Sequence, residues 1–389
     1  MNTPYLRVKM FKLIKTVMVA SLLSISAVYA AITPNPTAPT IAAKSYILQD
    51  FASGRILAES NSEQRLPPAS ITKLMTAYVV SHELALGNIQ LDDDVLISEK
   101  AWRMVGSRSF IEVNTKVPVE VLLRGMIIQS GNDAAVALAE HIAGSEETFA
   151  QMMNQYAQQL GMFNTNYRNS TGLPDADHYT TAKDIAILSA AIIRDFPDHY
   201  KWYAEKEYTY NNITQHNRNK LLWRDATVDG LKTGHTEEAG YCLAASAQRS
   251  DMRLVSVVLG TRSENARAQE TQKLFNYGFR FFESHELYQA HDKIADVKVW
   301  KGADKLVNLG LETSLSVTVP RGRYKELVAT TNIQQPVIAP ITAGSTLGQV
   351  EIRLGDKIVA TQQLVALNDI EQGSWWRRLI DSLMMLIWG

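Results

Sequence analysis

Strand-length apolar runs stand on either side of a long block of helical periodicity, and that order leaves few folds open. Ser45 to Leu48 and Arg55 to Leu57 flank the turn-forming stretch Asp50-Phe-Ala-Ser-Gly54, which predicts a β-hairpin. From Ser70 to about Gly87, then over Pro118 to Gln129, Asp133 to Gly144, Glu146 to Gly161 and Thr181 to Phe196, apolar residues recur at helical spacing. Strand-like patterning returns over Lys206 to Tyr210, Thr227 to Lys232, Gly240 to Ala247 and Met252 to Gly260, and Ser263 is placed to cap a last helix reaching about Phe282. Late strands that follow one another through short turns pair antiparallel, so the reading is an α+β domain: an antiparallel sheet covered by helices, with a helical subdomain inserted between its strands.

From about His285 the texture changes to short β runs separated by Gly, Pro and Asp turns: Val297 to Trp300, Ser316 to Val319, Lys325 to Thr331, Gly348 to Leu354 and Lys357 to Gln362. These predict a small all-β domain over 285–370, after a first domain over 31–284. Beyond it, Ser374 can cap a helix running to Trp388. Wound at 100° per residue, Arg377, Arg378, Asp381 and Ser382 fall in one arc and Trp375, Trp376, Leu379, Ile380, Leu383, Leu386 and Ile387 in the other. At about 22 Å and with two arginines, such a helix is expected to lie along a membrane surface through residues 374–389 and not to cross it.

At the other end, Arg7, Lys9, Lys12 and Lys15 precede an apolar run from Val17 to Val28, closed by Val28-Tyr29-Ala30. Residues 1–30 therefore read as a cleaved secretory signal, since ~13 apolar residues span only ~20 Å of a ~30 Å hydrocarbon layer. The lone Cys242 allows no internal disulfide, so an exported chain must rest on its core, and its alternating surroundings mark it as a buried small hydrophobe. With a formal net charge of -1, no overall field recruits nucleic acid. Eight scattered histidines without ligand spacing imply no metal, and nothing implies a cofactor.

The chemistry lies in three short elements. Ser70-Ile-Thr-Lys73 stands at a helix start, where an interval of three puts hydroxyl and amine on one face beside amide donors: a nucleophile with a built-in base. Ser130-Gly131-Asn132 fills the turn between two helices, offering a second hydroxyl for proton relay and an amide that orients a peptide. Lys232-Thr233-Gly234-His235-Thr236 ends a strand-like run, where Lys232 supplies positive charge for a carboxylate and Gly234 allows a substrate close to the backbone. Ser-x-x-Lys alone is expected about 1.4 times by chance, and simple capping or turn roles would explain each element singly. The three in order have a joint expectation of about 0.01, and as a set they are the signature of penicillin-binding proteins and class A β-lactamases.

With these motifs, Gly125-Met-Ile-Ile-Gln-Ser-Gly-Asn132-Asp-Ala-Ala135, Asn217-Arg218-Asn219, Val228-Asp-Gly-Leu-Lys232 and Trp375-Trp376, the chain resembles the low-molecular-mass D-alanyl-D-alanine carboxypeptidases of the penicillin-binding protein 5 and 6 type over nearly its whole length. The resemblance implies a penicillin-binding, β-lactamase-like catalytic domain and an acyl-enzyme on Ser70, with Lys73 as base and Ser130 as proton relay. Asn132, Lys232, Thr233, Gly234 and His235 would hold substrate, the amides of Ser70 and His235 would form an oxyanion hole, and Arg218 and Arg267 would help hold the terminal carboxylate. It further implies stem peptides of peptidoglycan ending in D-Ala-D-Ala as substrate and β-lactam antibiotics as acylating agents. The place of action would be the periplasmic face of the bacterial inner membrane. Asn114-Thr115 stands where many members have Pro-Gly, in a loop that looks shortened.

A lysine of pKa ~10.4 is neutral only about once in 2,500 at pH 7, a cost of ~4.6 kcal/mol for using it as a base. Burial of Lys73 and a second cation, for which Lys232 is the natural candidate, would lower that cost. Rival readings are a class A β-lactamase, for which Glu207-x-x-x-Asn211 is a superficial match within a strand-like run, a D,D-endopeptidase or transpeptidase of the same fold, and a non-catalytic wall-binding module.

Overall fold

The structure, a computed structural model, describes residues 37–388, so the leader expected at 1–30 lies outside the described residues. A five-stranded antiparallel sheet organises the first domain, in the order Ile56–Ser60, Ser45–Asp50, Met252–Thr261, Gly240–Arg249, Val228–Thr236. The opening hairpin thus lies beside the late strands, and the helical block is an excursion between its second strand and the strand from Val228.

Strand alternation assigns the two faces. Ile47, Val255, Val257 and Leu259 join the core beneath the helices Lys73–Ala85, Val119–Gln129, Asn132–Ala143 and Ala182–Asp195. Leu48, Leu254 and Val258 point the other way, onto Leu274 and Phe275 of the helix Glu264–Phe281. Ser263 caps that helix, its side chain accepting from Ala266 N at 3.1 Å. One expected sheet strand does not join the sheet: Glu207–Tyr210 pairs only with Ile213–His216, as a separate hairpin.

The second domain begins earlier than its composition implies. Phe282 caps the preceding helix and opens the strand Phe282–Tyr288 at φ -127° and ψ 159°, so helix passes into strand with no linker. That strand pairs with Leu315–Pro320. A six-stranded sheet of mixed direction follows, packed around Val307, Leu309, Val317, Val350, Ile352 and Leu364. Arg321 clasps the junction, donating to Phe279 O at 2.7 Å and Phe282 O at 3.0 Å.

The last helix, Trp375–Trp388, docks on this domain by its polar side. Arg377 donates to the carbonyls of Ala303 and Asp304 at 3.0 and 3.3 Å, and Asp381 accepts from Lys301 N at 2.6 Å. Its apolar residues Trp375, Trp376, Leu379, Ile380, Leu383, Leu386 and Ile387 are left between 47% and 84% exposed. Among the described residues, no helix is long and apolar enough to cross a membrane.

Candidate active site

Pro68 leads into a tight 3₁₀ turn, Ala69–Thr72, and the α-helix begins at Lys73. Ala69 takes a left-handed φ of 48°, costing ~1–3 kcal/mol for a residue with a Cβ. Neighbours enforce it: a Cβ on Gly172 would stand 1.8 Å from Ala69 O, and one on Gly234 would stand 3.2 Å from Ala69 Cβ. The turn holds Ser70 Oγ 3.3 Å from Lys73 Nζ, which also donates to Asn132 Oδ1 at 2.7 Å and to Thr171 O at 2.6 Å.

Ser130 caps the helix Val119–Gln129 in the left-handed region, φ 71°, and Asn132 starts the next helix. Gly131 between them is required by space, since a Cβ there would meet Ser109 Oγ at 2.1 Å. Asn132 Nδ2 donates to Val105 O at 2.6 Å, while the buried Asp133 carboxylate accepts from Ser109 N and Phe110 N at 2.7 and 2.9 Å. Together they fix the loop in front of the motif. Ser130 Oγ is buried with no hydrogen-bond partner among the described residues. An orphaned buried hydroxyl costs ~1–3 kcal/mol, which a bound substrate would relieve.

The third element extends the strand instead of ending it. Lys232 lies in mid-strand, because Val228–Thr236 is continuous and forms the sheet edge. Gly234 also differs from expectation: a Cβ there would crowd Pro68 O at 3.0 Å and Ile71 Cγ1 at 3.1 Å, so its bareness seats the strand on the Ser70 turn. Thr233 is buried, and the exposed His235 stacks on Tyr241 with ring centroids 3.9 Å apart. Arg267, reaching in from the helix Glu264–Phe281, donates to Gly234 O at 3.2 Å and stands 3.5 Å from Arg218 O. The Arg218 side chain is exposed between two buried asparagines, of which Asn219 donates to Gly230 O and Asn217 to Glu205 O, each at 3.0 Å. Direct contacts thus join Lys73 to Ser70 and Asn132, and Arg267 to the strand at Gly234, which packs against the Ser70 turn.

Burial drives the electrostatics. It lowers the Lys73 amine to about 7, the Arg218 cation presses the same way, and the carboxylates of Asp133 and Glu146 oppose. Burial likewise holds Lys232 well below the ordinary lysine range, helped by Lys73, Arg218 and Arg267. The cation that lowers Lys73 is Arg218, while Lys73 in its turn presses Lys232 downward.

Several supporting groups have no counterpart in the sequence reading. The turn 169–172 supplies the Thr171 carbonyl, and Glu146 holds that turn from outside by accepting from Ser170 N and Oγ at 3.1 and 2.8 Å. His178, which burial lowers to about 4 and keeps neutral, shares a 2.9 Å hydrogen bond with Thr72 Oγ1. The only hints were an Asn-Ser-Thr-Gly cluster between helical segments and a lone histidine. The β-lactamase-like Glu207 is exposed on its hairpin, 3.5 Å from His216 Nδ1.

Comparison with known proteins supplies the family. Residues 32–263 match the D-alanyl-D-alanine carboxypeptidase family, peptidase S11, and residues 282–372 match the penicillin-binding protein 5 C-terminal domain. The D-alanyl-D-alanine carboxypeptidase DacC of Escherichia coli strain K12 is 42% identical, over 90% of this chain and 89% of that one. The crystal structure of penicillin-binding protein 5 from Haemophilus influenzae superposes with a TM-score of 0.84 at 43% identity, covering 87% of this chain and all (100%) of that one. Penicillin-binding protein D2 from Listeria monocytogenes, solved in an ampicillin-bound form, gives 0.58 at 29% identity over 63% of this chain and 100% of its own. A buried lysine beside a half-buried serine, both domains and this similarity over most of the chain lead to one conclusion: the chain belongs to the peptidase S11 family of serine-type D-alanyl-D-alanine carboxypeptidases.

Proposed function

We propose that this D-Ala-D-Ala carboxypeptidase forms an acyl-enzyme on Ser70 and releases the terminal D-alanine of peptidoglycan stem peptides. The observation that carries the reading is the Lys73 amine, buried, 3.3 Å from Ser70 Oγ and lowered to about 7. Neutral Lys73 takes the hydroxyl proton as Oγ bonds to the carbonyl carbon of the penultimate D-alanine. The amides of Ser70 and His235 receive the oxyanion. The C–N bond to the last D-alanine then breaks, its amine protonated from Lys73 through Ser130 Oγ, and water cleaves the ester.

Lys232, Thr233 and the exposed Arg218 hold the terminal carboxylate, and Asn132 orients the peptide. Arg267 is buried and bonded to Gly234 O, so it works chiefly by setting the strand edge. β-Lactams acylate Ser70 as mimics of the acyl-D-Ala-D-Ala strand.

The enzyme is exported and works at the periplasmic face of the inner membrane, held by its last helix. The basic residues Arg7, Lys9, Lys12 and Lys15 ahead of the apolar run of the leader, and the bare apolar face of a helix docked by its polar side, support this. Seven apolar side chains gaining even ~0.8 kcal/mol each supply ~5 kcal/mol, enough for reversible interfacial binding, and two tryptophans suit the headgroup level.

The test of the chemistry is Ser70→Ala. It should fold with a near-native Tm yet take no covalent fluorescent penicillin and release no D-alanine from a D-Ala-D-Ala peptide. Label surviving denaturation would refute the assignment.

A further inference from the structure

Lys73 Nζ has three polar neighbours, and two of them constrain it by their chemistry. Asn132 Oδ1 at 2.7 Å and Thr171 O at 2.6 Å are amide oxygens, which only accept, so Lys73 must donate to both. A neutral amine has two N–H bonds and one lone pair. With both N–H bonds directed at those oxygens, the lone pair is left facing Ser70 Oγ at 3.3 Å. The pair of acceptors therefore aims the base.

Asn132 is a side chain of the second motif, but the Thr171 carbonyl points where its turn points it. Within that turn Asn169 Oδ1 accepts from Gly172 N at 2.7 Å, Thr171 Oγ1 at 2.9 Å and Thr171 N at 3.1 Å. Its Nδ2 donates to Leu173 O at 3.0 Å, which closes an Asx-type turn with every polar atom of the side chain engaged. Outside the turn, Thr76 Oγ1 donates to Ser170 O at 2.7 Å. That contact occupies the neighbouring carbonyl and leaves Thr171 O for Lys73.

The geometry points to Asn169 as a positioning residue of the acylation step, which directs the Lys73 lone pair at Ser70 through the Thr171 carbonyl without touching substrate. The inference rests on Lys73 being the base.

The test compares the full chain with Asn169→Ala and Asn169→Asp. Acylation by saturating fluorescent penicillin is followed from about pH 5 to 9, alongside thermal unfolding. Loss of aim in Asn169→Ala should lower the plateau acylation rate ~10–100-fold, with little change in the half-saturating penicillin concentration. Asn169→Asp keeps the three accepted bonds and should recover most of the plateau, but its carboxylate favours charged Lys73 and moves the acid limb to higher pH. A merely structural residue would lower the Tm and the active fraction in both variants and leave the limb where it was. A wild-type plateau in Asn169→Ala, or recovery in Asn169→Asp with an unmoved limb, overturns the role while leaving the base intact. A wild-type protein that acylates with no acid limb overturns the base and the positioning residue together.

Discussion

Replacing Arg218 by glutamine asks how the catalytic amine is kept neutral. Lys73 stands at about 7 against an ordinary 10.5, and at ~1.36 kcal/mol per pH unit that difference removes ~4 kcal/mol, nearly all of the cost of using it as a base at pH 7. Burial supplies the largest share and the Arg218 guanidinium the next. Glutamine keeps a polar side chain of moderate length and deletes the charge. Removing a like charge favours the protonated amine, so the Lys73 pKa rises and the neutral fraction at pH 7 falls. The acid limb of the acylation profile must then move to higher pH, with the rate recovered at about pH 9. Because Arg218 is exposed, its influence is screened. Added salt should shift the wild-type limb in the same direction and the variant's less. The assay is single-turnover acylation by saturating fluorescent penicillin, which separates this effect from the hold of Arg218 on a substrate carboxylate. A variant limb that superimposes on the wild type, or moves to lower pH, would refute the reasoning.

Ser130→Ala removes a buried hydroxyl that has no partner among the described residues, so it should leave Tm unchanged or raise it while lowering turnover ~100-fold or more, read by calorimetry and D-alanine release. Gly172→Ala places a Cβ 1.8 Å from Ala69 O at a φ of 85°, and should lower stability by at least ~2 kcal/mol and slow penicillin labelling, because relief requires the residue before Ser70 to move. Truncation after Gly373 should leave a folded protein of unchanged activity on small D-Ala-D-Ala peptides that no longer sediments with vesicles. Sedimentation of the truncated protein, or its unfolding, would remove the anchor reading.

Much of this site was legible because its chemistry is carried by side chains at short, fixed intervals. Ser70 and Lys73 share a face by helical arithmetic, and Ser130-Gly131-Asn132 announces a turn between two periodic runs. What stayed hidden is what depends on long-range proximity. Gly234 reads as an open approach until Pro68 and Ile71 are found against it, and Arg218 reads as a carboxylate holder until its charge is placed beside Lys73. The contribution of Thr171 is a backbone carbonyl, which no residue type encodes. In the fold, the hairpin and the capped helix from Ser263 followed from local signals. The domain boundary did not, because the chain passes from Phe281 to Phe282 without the polar or Gly-Pro linker that composition reports.

That seamless passage has a mechanical consequence. A helix running directly into a strand, clasped by Arg321, is a weld and not a hinge, and the last helix is bolted to the far domain through Arg377 and Asp381. If that helix floats in the bilayer surface, the cleft is carried on a stalk of constant height and cannot bow toward or away from the lipid. The enzyme would then graze one thin layer of the wall, reaching stem peptides by gliding sideways, and the length of the β domain would set which layer is cropped.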